Sequence, residues 1–257
     1  MRFSPRVSPR AGGTEAPVGA SGTASPVAAP GGSDRALATL LRDLGPQLRR
    51  GSAPPPDEPP ARDATGLPEI DRQLGGGVPR GRLLEIAGPP SSGRTALALA
   101  WLARLTQAGE VTAVVDLADA LDPPSAEAAG VVLPRVLWVR APGLAEALRS
   151  TERLLDARGF ALVLLDLDIG GVQADAVIHD ATWLRLARAA AGSRTSLALL
   201  TGRRLAGTFS DLALELQPSV ARFSDAPALL EGLETSATLV RNRLGPPGLV
   251  SPWVIST

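Results

Sequence analysis

The chain has 257 residues, 44% of them hydrophobic, enough for one sizeable core but not for two. Its 26 basic residues, all arginine, balance 26 acidic ones, so no global field draws in nucleic acid or membrane and any DNA contact must be local. With no cysteine and a single histidine, His179, a disulfide framework and a thiolate or imidazole metal site are excluded. No apolar run has the length of a membrane span or the placement of a signal peptide, which predicts a soluble cytoplasmic protein.

Residues 1–33 are rich in Ala, Gly, Pro and Ser and lack periodic apolar positions, so a disordered tail is expected. Arg2, Arg6 and Arg10 imitate a targeting peptide but form no amphipathic helix. Over residues 34–50 the pattern turns helical, with Leu37, Leu40, Leu41, Leu44 and Leu48 at spacings of three and four and Ser33 or Asp34 as N-cap. Alone, so short a helix is marginal in water, so its greasy face must dock on its own core or on another subunit. The proline-rich run that follows lacks many backbone donors and reads as a linker over 51–64, leaving 65–257 as the core domain.

At the head of that core an apolar strand, Leu83-Leu84-Glu85-Ile86-Ala87, runs into the turn Gly88-Pro89-Pro90-Ser91-Ser92-Gly93-Arg94-Thr95, which opens into a helix at Ala96. This is the layout of a phosphate-binding loop, in which glycines let the backbone wrap an anion and the positive end of the helix faces it. Gly88, Ser91, Ser92, Gly93, Arg94 and Thr95 are the candidate nucleotide contacts, and the Thr95 hydroxyl is placed to hold Mg²⁺. The full pattern requires lysine where this chain has Arg94, and a planar guanidinium does not occupy the place of an ammonium. Either nucleotide binding survives the change or it has been lost.

Further along, the loop helix ends near Gly109, and residues 111–117 read as a buried strand containing Asp116. A turn over 118–124 leads to a short helix around 125–129 and a strand over 136–140. Leu144, Ala147, Leu148, Thr151, Leu154 and Leu155 then mark one side of an amphipathic helix. Residues 161–166 form an almost wholly apolar strand of the kind buried in a parallel sheet, ending at Asp166, with Asp168 one alternation further on. A helix over 172–191, with His179 in its middle, and a strand over 195–200 follow. The remainder supplies shorter strands over 212–217, 220–223 and 237–243, the last carrying Arg241 and Arg243 on one face. Trp101, Trp138 and Trp183 fall in regular elements and are most simply core. Strand alternating with helix implies right-handed crossovers and a three-layer α/β fold with a mainly parallel central sheet.

Four stretches, in order, resemble the RecA family. Ile86-Ala87-Gly88-Pro89-Pro90-Ser91-Ser92-Gly93-Arg94-Thr95 is like that family's EIxGPESSGKT, and Asp119-Ala120-Leu121-Asp122-Pro123 is like EHALDP. The strand ending at Asp166 is like VIVVDS, and Leu239-Val240-Arg241-Asn242-Arg243 is like VVKNK. Gly75-Gly76-Gly77 resembles the loop before the family's first core strand and is expected to be structural.

The resemblance implies ATP and Mg²⁺ as ligands, with Asp116 and Asp166 on the nucleotide side and Thr95 and Asp166 on the metal. It also marks departures. The family glutamate that orients the attacking water falls at Ala118, and the adenine-stacking tyrosine falls at Ser125. A long DNA-contacting loop is replaced by Thr201-Gly202-Arg203-Arg204-Leu205-Ala206-Gly207-Thr208, where Arg203 and Arg204 either touch DNA phosphates or sit on a solvated turn. Arg241 and Arg243 match the pair that reaches a neighbouring subunit in the family, and are otherwise surface charge.

The expected function is DNA repair and recombination within the SOS or translesion response, in an accessory or regulatory role with weak or absent ATPase activity. It is similar to the ImuA group, whose members act beside a translesion polymerase. Expected partners are a recombinase or a translesion polymerase, with single-stranded DNA and a homo-oligomer as further alternatives. The rival readings are a divergent ATP-dependent recombinase on single-stranded DNA and a partner-binding scaffold without nucleotide.

Overall fold

In the computed structural model, strand alternates with helix as the apolar periodicities require, over residues 61–167, 178–223, 230–245 and 250–256, which are the residues the structure describes. The chain divides into two units, Met1–Asp57 and Glu58–Thr257. The tail at 1–33, the helix at 34–50, the first ten residues of the linker and Asp168 lie outside the described residues.

The second unit runs β1 (Arg62–Asp63), α1 (Pro68–Gln73), β2 (Val78–Pro79), β3 (Leu83–Ala87), α2 (Arg94–Gln107), β4 (Thr112–Asp116), α3 (Pro123–Ala128) and β5 (Val136–Arg140). It continues with α4 (Leu144–Ala157), β6 (Leu162–Asp166), α5 (Asp180–Ser193), β7 (Ser196–Thr201), β8 (Leu212–Phe223), β9 (Leu230–Asn242) and β10 (Val250–Ser256). β1 and β2 pair antiparallel as a small separate sheet. The other strands form one sheet in the order β10-β9-β8-β3-β7-β6-β4-β5, parallel from β8 to β5 and antiparallel where β9 and β10 are added.

Alternation along the strands explains the layers. Leu84 and Ile86 of β3, Leu162 and Leu164 of β6 and Ala198 and Leu200 of β7 pack against Leu97, Trp101, Leu102 and Leu105 of α2. Leu83, Val163, Leu165, Leu197 and Leu199 point the other way, onto Ala147 and Leu155 of α4 and Trp183 and Leu186 of α5. Both faces are therefore covered, and this is why β3, β6 and β7 read as continuous apolar runs. Trp101 and Trp183 are core, as expected, whereas Trp138 on the edge strand β5 is only partly buried. No helix among the described residues is long and apolar enough to cross a membrane.

The small sheet pairs the start of the described unit with the segment that follows α1. Gly77, at φ +117°, packs so closely on β1 that an added Cβ would lie 2.4 Å from the Asp63 carbonyl oxygen, so the glycine run is structural at this position. Arg80 bridges Asp63 at 3.0 Å and Glu110 at 2.7 Å. Burial raises the Asp63 carboxyl above its ordinary range despite the Arg80 guanidinium beside it.

Four boundaries differ from the sequence reading. Of the helix expected over 172–191, residues 172–177 lie outside the described residues, and α5 begins at Asp180, with His179 exposed at its N-cap in extended conformation instead of mid-helix. The segments 212–217 and 220–223 are one strand, β8, because the interval left between them is absorbed by a register shift between Pro218 and Ala221. β9 starts well before residue 237 and ends at Asn242, so Arg243 lies in the turn beyond it. It is also not the last strand, since β10 pairs along its outer edge.

Candidate functional site

The C-terminal ends of the parallel strands gather the candidate residues on one edge of the sheet, where open α/β folds hold their ligands. β3 delivers the chain to Gly88, whose amide donates to Thr201 O at 3.2 Å on β7. Gly88 must be glycine: a Cβ there would meet Leu216 O at 2.5 Å and Ser92 Oγ at 2.6 Å. Ser91 adopts φ +61° and Gly93 φ +88°, two left-handed residues that curl the backbone back before α2 starts. The fourteen residues of α2 then align their dipoles on the loop, and no acidic side chain in the first turn opposes that field. Thr95 is exposed at the helix start, Ser92 is buried, and Arg94 is buried at 6% exposure.

Asp116 and Asp166 end adjacent strands in register with each other. Their surroundings differ. Asp116 is 1% exposed and its carboxylate accepts hydrogen bonds from Ala120 N at 3.1 Å, Leu121 N at 2.9 Å and Trp138 Nε1 at 3.2 Å, which organises the turn over 117–122. Asp166 is half-buried and sits one strand away from the phosphate loop, not beside it, because β7 lies between β3 and β6. Ala118 is exposed. Asp119, at φ +54°, is engaged by Arg140 Nε at 3.0 Å, and the Arg140 guanidinium also stacks over the Trp138 ring at 4.0 Å. Ser125 caps α3 with Asp122: its amide donates to Asp122 Oδ2 at 3.0 Å and its hydroxyl donates to the same oxygen.

The β7–β8 loop faces the phosphate loop across a cavity of about 220 Å³ lined by Ala87, Gly88, Pro89, Gly202, Arg203, Arg204, Glu215 and Gln217. Glu85 holds this loop in place. Although fully buried in β3, its Oε1 accepts the amides of Leu205 and of Ala206 (the latter at 3.0 Å), and its Oε2 lies 3.8 Å from Arg204 Nε. Arg204 is therefore partly neutralised by the strand that leads into the phosphate loop. The structure thus brings Arg203 and Arg204 up to Gly88 and Pro89 but leaves Arg241 and Arg243 elsewhere. Arg241 donates to Ser210 O at 2.6 Å and Thr208 O at 3.0 Å, and Arg243 is exposed beyond the strand end.

A family model for the RecA N-terminal domain matches residues 62–180. Residues 62–180 thus form a RecA-family core. It is 40% identical over 103 residues to Protein RecA of Synechocystis sp., a match covering 40% of this chain and 29% of that protein. It is 36% identical over 137 residues to Protein RecA of Rubrobacter xylanophilus, covering 51% of this chain and 40% of that protein. The chain thus spans well under half the length of these curated relatives. The crystal structure of the RadB recombinase shares the fold at a TM-score of 0.58 and 21% identity, over 74% of this chain and 94% of that one.

Two residues around the loop escaped the sequence reading. Glu85 carried a signal, since a carboxylate in the middle of an apolar strand needs a buried partner. Thr235 carried none. Its hydroxyl reaches the phosphate loop from β9, 2.7 Å from Ser92 O, across 143 positions of sequence.

Proposed function

We propose that this chain is a RecA-like protein of DNA repair and recombination whose loop at 88–95 takes the phosphates of ATP with Mg²⁺, and whose hydrolysis is weak or absent. Gly88, Ser91, Ser92, Gly93, Arg94 and Thr95 form the phosphate side, and Thr95 with Asp166 serve the metal. Bound ATP and Mg²⁺ would supply the transferable phosphoryl group and the charge that neutralises it.

The observation that carries the proposal is the β4 end of the site. Hydrolysis needs a group that orients the attacking water, and there Ala118 offers none, Asp119 is engaged by Arg140, and Asp116 is enclosed by three donors. The role is accessory, beside a recombinase or a translesion polymerase of the SOS response in the cytoplasm. Single-stranded DNA is contacted at most through Arg203 and the partly neutralised Arg204, and Arg241 and Arg243 are the proposed subunit-facing pair. The 34–50 helix and the 51–64 linker are proposed to carry partner docking and to leave 65–257 as the nucleotide unit.

The test is ATP binding and hydrolysis by the purified protein, with and without single-stranded DNA, beside an Arg94→Lys, Ala118→Glu double variant. The proposal expects little hydrolysis by the wild type and a gain in the double variant. DNA-stimulated turnover by the wild type sinks it. That result would favour a divergent recombinase, a reading supported by the curled loop and by exposed Thr95. If nucleotide is not bound at all, deletion of residues 1–60 with loss of partner capture would favour the scaffold reading.

A further inference from the structure

The phosphate loop is shaped from outside by the β8–β9 hairpin. Gly88 lies so close to Leu216 O of β8 that no side chain fits between them. Four residues on, Ser92 O receives the Thr235 hydroxyl of β9 at 2.7 Å, and the same hydroxyl lies 2.8 Å from Gln217 O of β8. Thr235 is 1% exposed and in register with Pro218, so its position is set by the strand pairing and not by side-chain freedom. Both neighbours of the hydroxyl are carbonyl oxygens, which can only accept. Its single proton is shared between them, with the shorter distance to Ser92 O, and this shared bond ties the loop to the hairpin.

This contact sets a direction. A trans peptide is planar, and its C=O and N–H point to opposite sides. The carbonyl of Ser92 and the amide of Gly93 belong to the same peptide, so holding Ser92 O on the hairpin turns the Gly93 N–H away from it. Gly93 is the left-handed N-cap of α2, where amides serve an anion.

We infer that Thr235 is a positioning residue for phosphate binding, aiming the Gly93 N–H by holding the Ser92 carbonyl. The inference rests on the nucleotide reading of the loop. Thr235→Val keeps the shape and removes the proton, and Thr235→Ser restores it.

Two measurements on the full chain separate this idea from the reading beneath it: titration with Mg·ATP, and amide hydrogen exchange at residues 91–93 without nucleotide. The expected result is wild-type binding, a loss of about tenfold in Thr235→Val, on the scale of one hydrogen bond, recovery in Thr235→Ser, and faster exchange in the valine variant alone. Equal affinity in wild type and Thr235→Val overturns the inference, as does unchanged exchange at residues 91–93. If the wild type binds no Mg·ATP, the nucleotide reading falls and takes the positioning role with it, while exchange still reports whether the tie exists. Should Thr235→Val fail to fold, Thr235→Cys, a poor donor of similar size, makes the same comparison.

Discussion

Replacing Asp116 by alanine withdraws one acceptor from three donors, the amides of Ala120 and Leu121 and the Trp138 indole N–H, at 3.1, 2.9 and 3.2 Å. A hydrogen bond to a charged group contributes about 1.5–3 kcal/mol, and a buried donor left unpaired costs a similar amount. The three terms do not sum, because Ala120 is exposed and its amide recovers water once the turn relaxes. The expected loss is about 3–4 kcal/mol. For a folded unit of this size that lowers the melting midpoint on the order of 6–16 °C. Asp116→Asn keeps one carbonyl oxygen and should lose about half as much. Thermal and urea unfolding read the stability, and Mg·ATP affinity is measured well below the midpoint, where the variants are folded. If Asp116 organises the turn, stability falls and affinity holds. A variant that melts with the wild type but no longer binds nucleotide refutes the reasoning and returns Asp116 to the ligand.

Other substitutions probe separate joints of the structure. Gly77→Ala should destabilise by at least about 3 kcal/mol in urea unfolding, since it combines a strained φ with a Cβ driven into the Asp63 carbonyl. Arg241→Ala removes two bonds to the Ser210 and Thr208 carbonyls and should cost about 1–3 kcal/mol, whereas Arg243→Ala should stay within about 0.5 kcal/mol; equal effects would argue against the internal role of Arg241. The Ser125 hydroxyl and amide hold the Asp122 carboxyl below its ordinary range. Its capping contribution is therefore complete above the ordinary carboxylate range and is lost as pH falls through the lowered value. Asp122→Asn, which caps without titrating, should show a flatter acid limb in its melting midpoints, and an unchanged limb would count against the cap. Glu85→Ala should speed amide exchange at residues 205 and 206 well before β7 and β8; uniform exchange would mean that the buried carboxylate is not what holds the loop.

The features legible in the sequence were those written locally. The apolar run of β3 followed by a glycine-bounded turn places the loop, and the 3.6 periodicity of Leu144 to Leu155 places α4 and its buried face. Local patterning also misleads where the decisive partner is remote. The interval between the segments 212–217 and 220–223 reads as a strand break, yet the shift in register between Pro218 and Ala221 lets a single strand pass it. β10 carries Pro252, which argues against a central strand, but this strand pairs with β9 alone and its other edge needs no ladder donor. Asp116 ends its strand where a ligand-facing carboxylate is expected, and only the path of residues 117–122 and the neighbouring strand β5 turn three donors onto it. Thr235 is an ordinary strand residue until the sheet order sets β9 beside β8 and β8 beside β3.

Shape and chemistry at this site come from different parts of the chain. The curl of the loop depends on Gly88 against Leu216 O, Ser92 O on Thr235, and the two left-handed residues Ser91 and Gly93, contacts made with backbone or with a buried hydroxyl. Under the proposed function, water orientation and charge neutralisation would fall instead to the side chains at 94, 118 and 166, of which Ala118 is exposed, Asp166 half-buried and Arg94 buried. A substitution at exposed position 118 breaks no helix, strand pairing or cap and leaves the loop standing. Changes to the hairpin have the opposite effect: they disturb the loop without touching a reacting group. Under the proposed function this separation gives an ordering of defects. Hairpin variants should lose nucleotide affinity, and variants at 118 should change turnover at constant affinity. A Thr235 variant that altered turnover alone, or an Ala118→Glu variant that altered affinity alone, would show that the two are not separable.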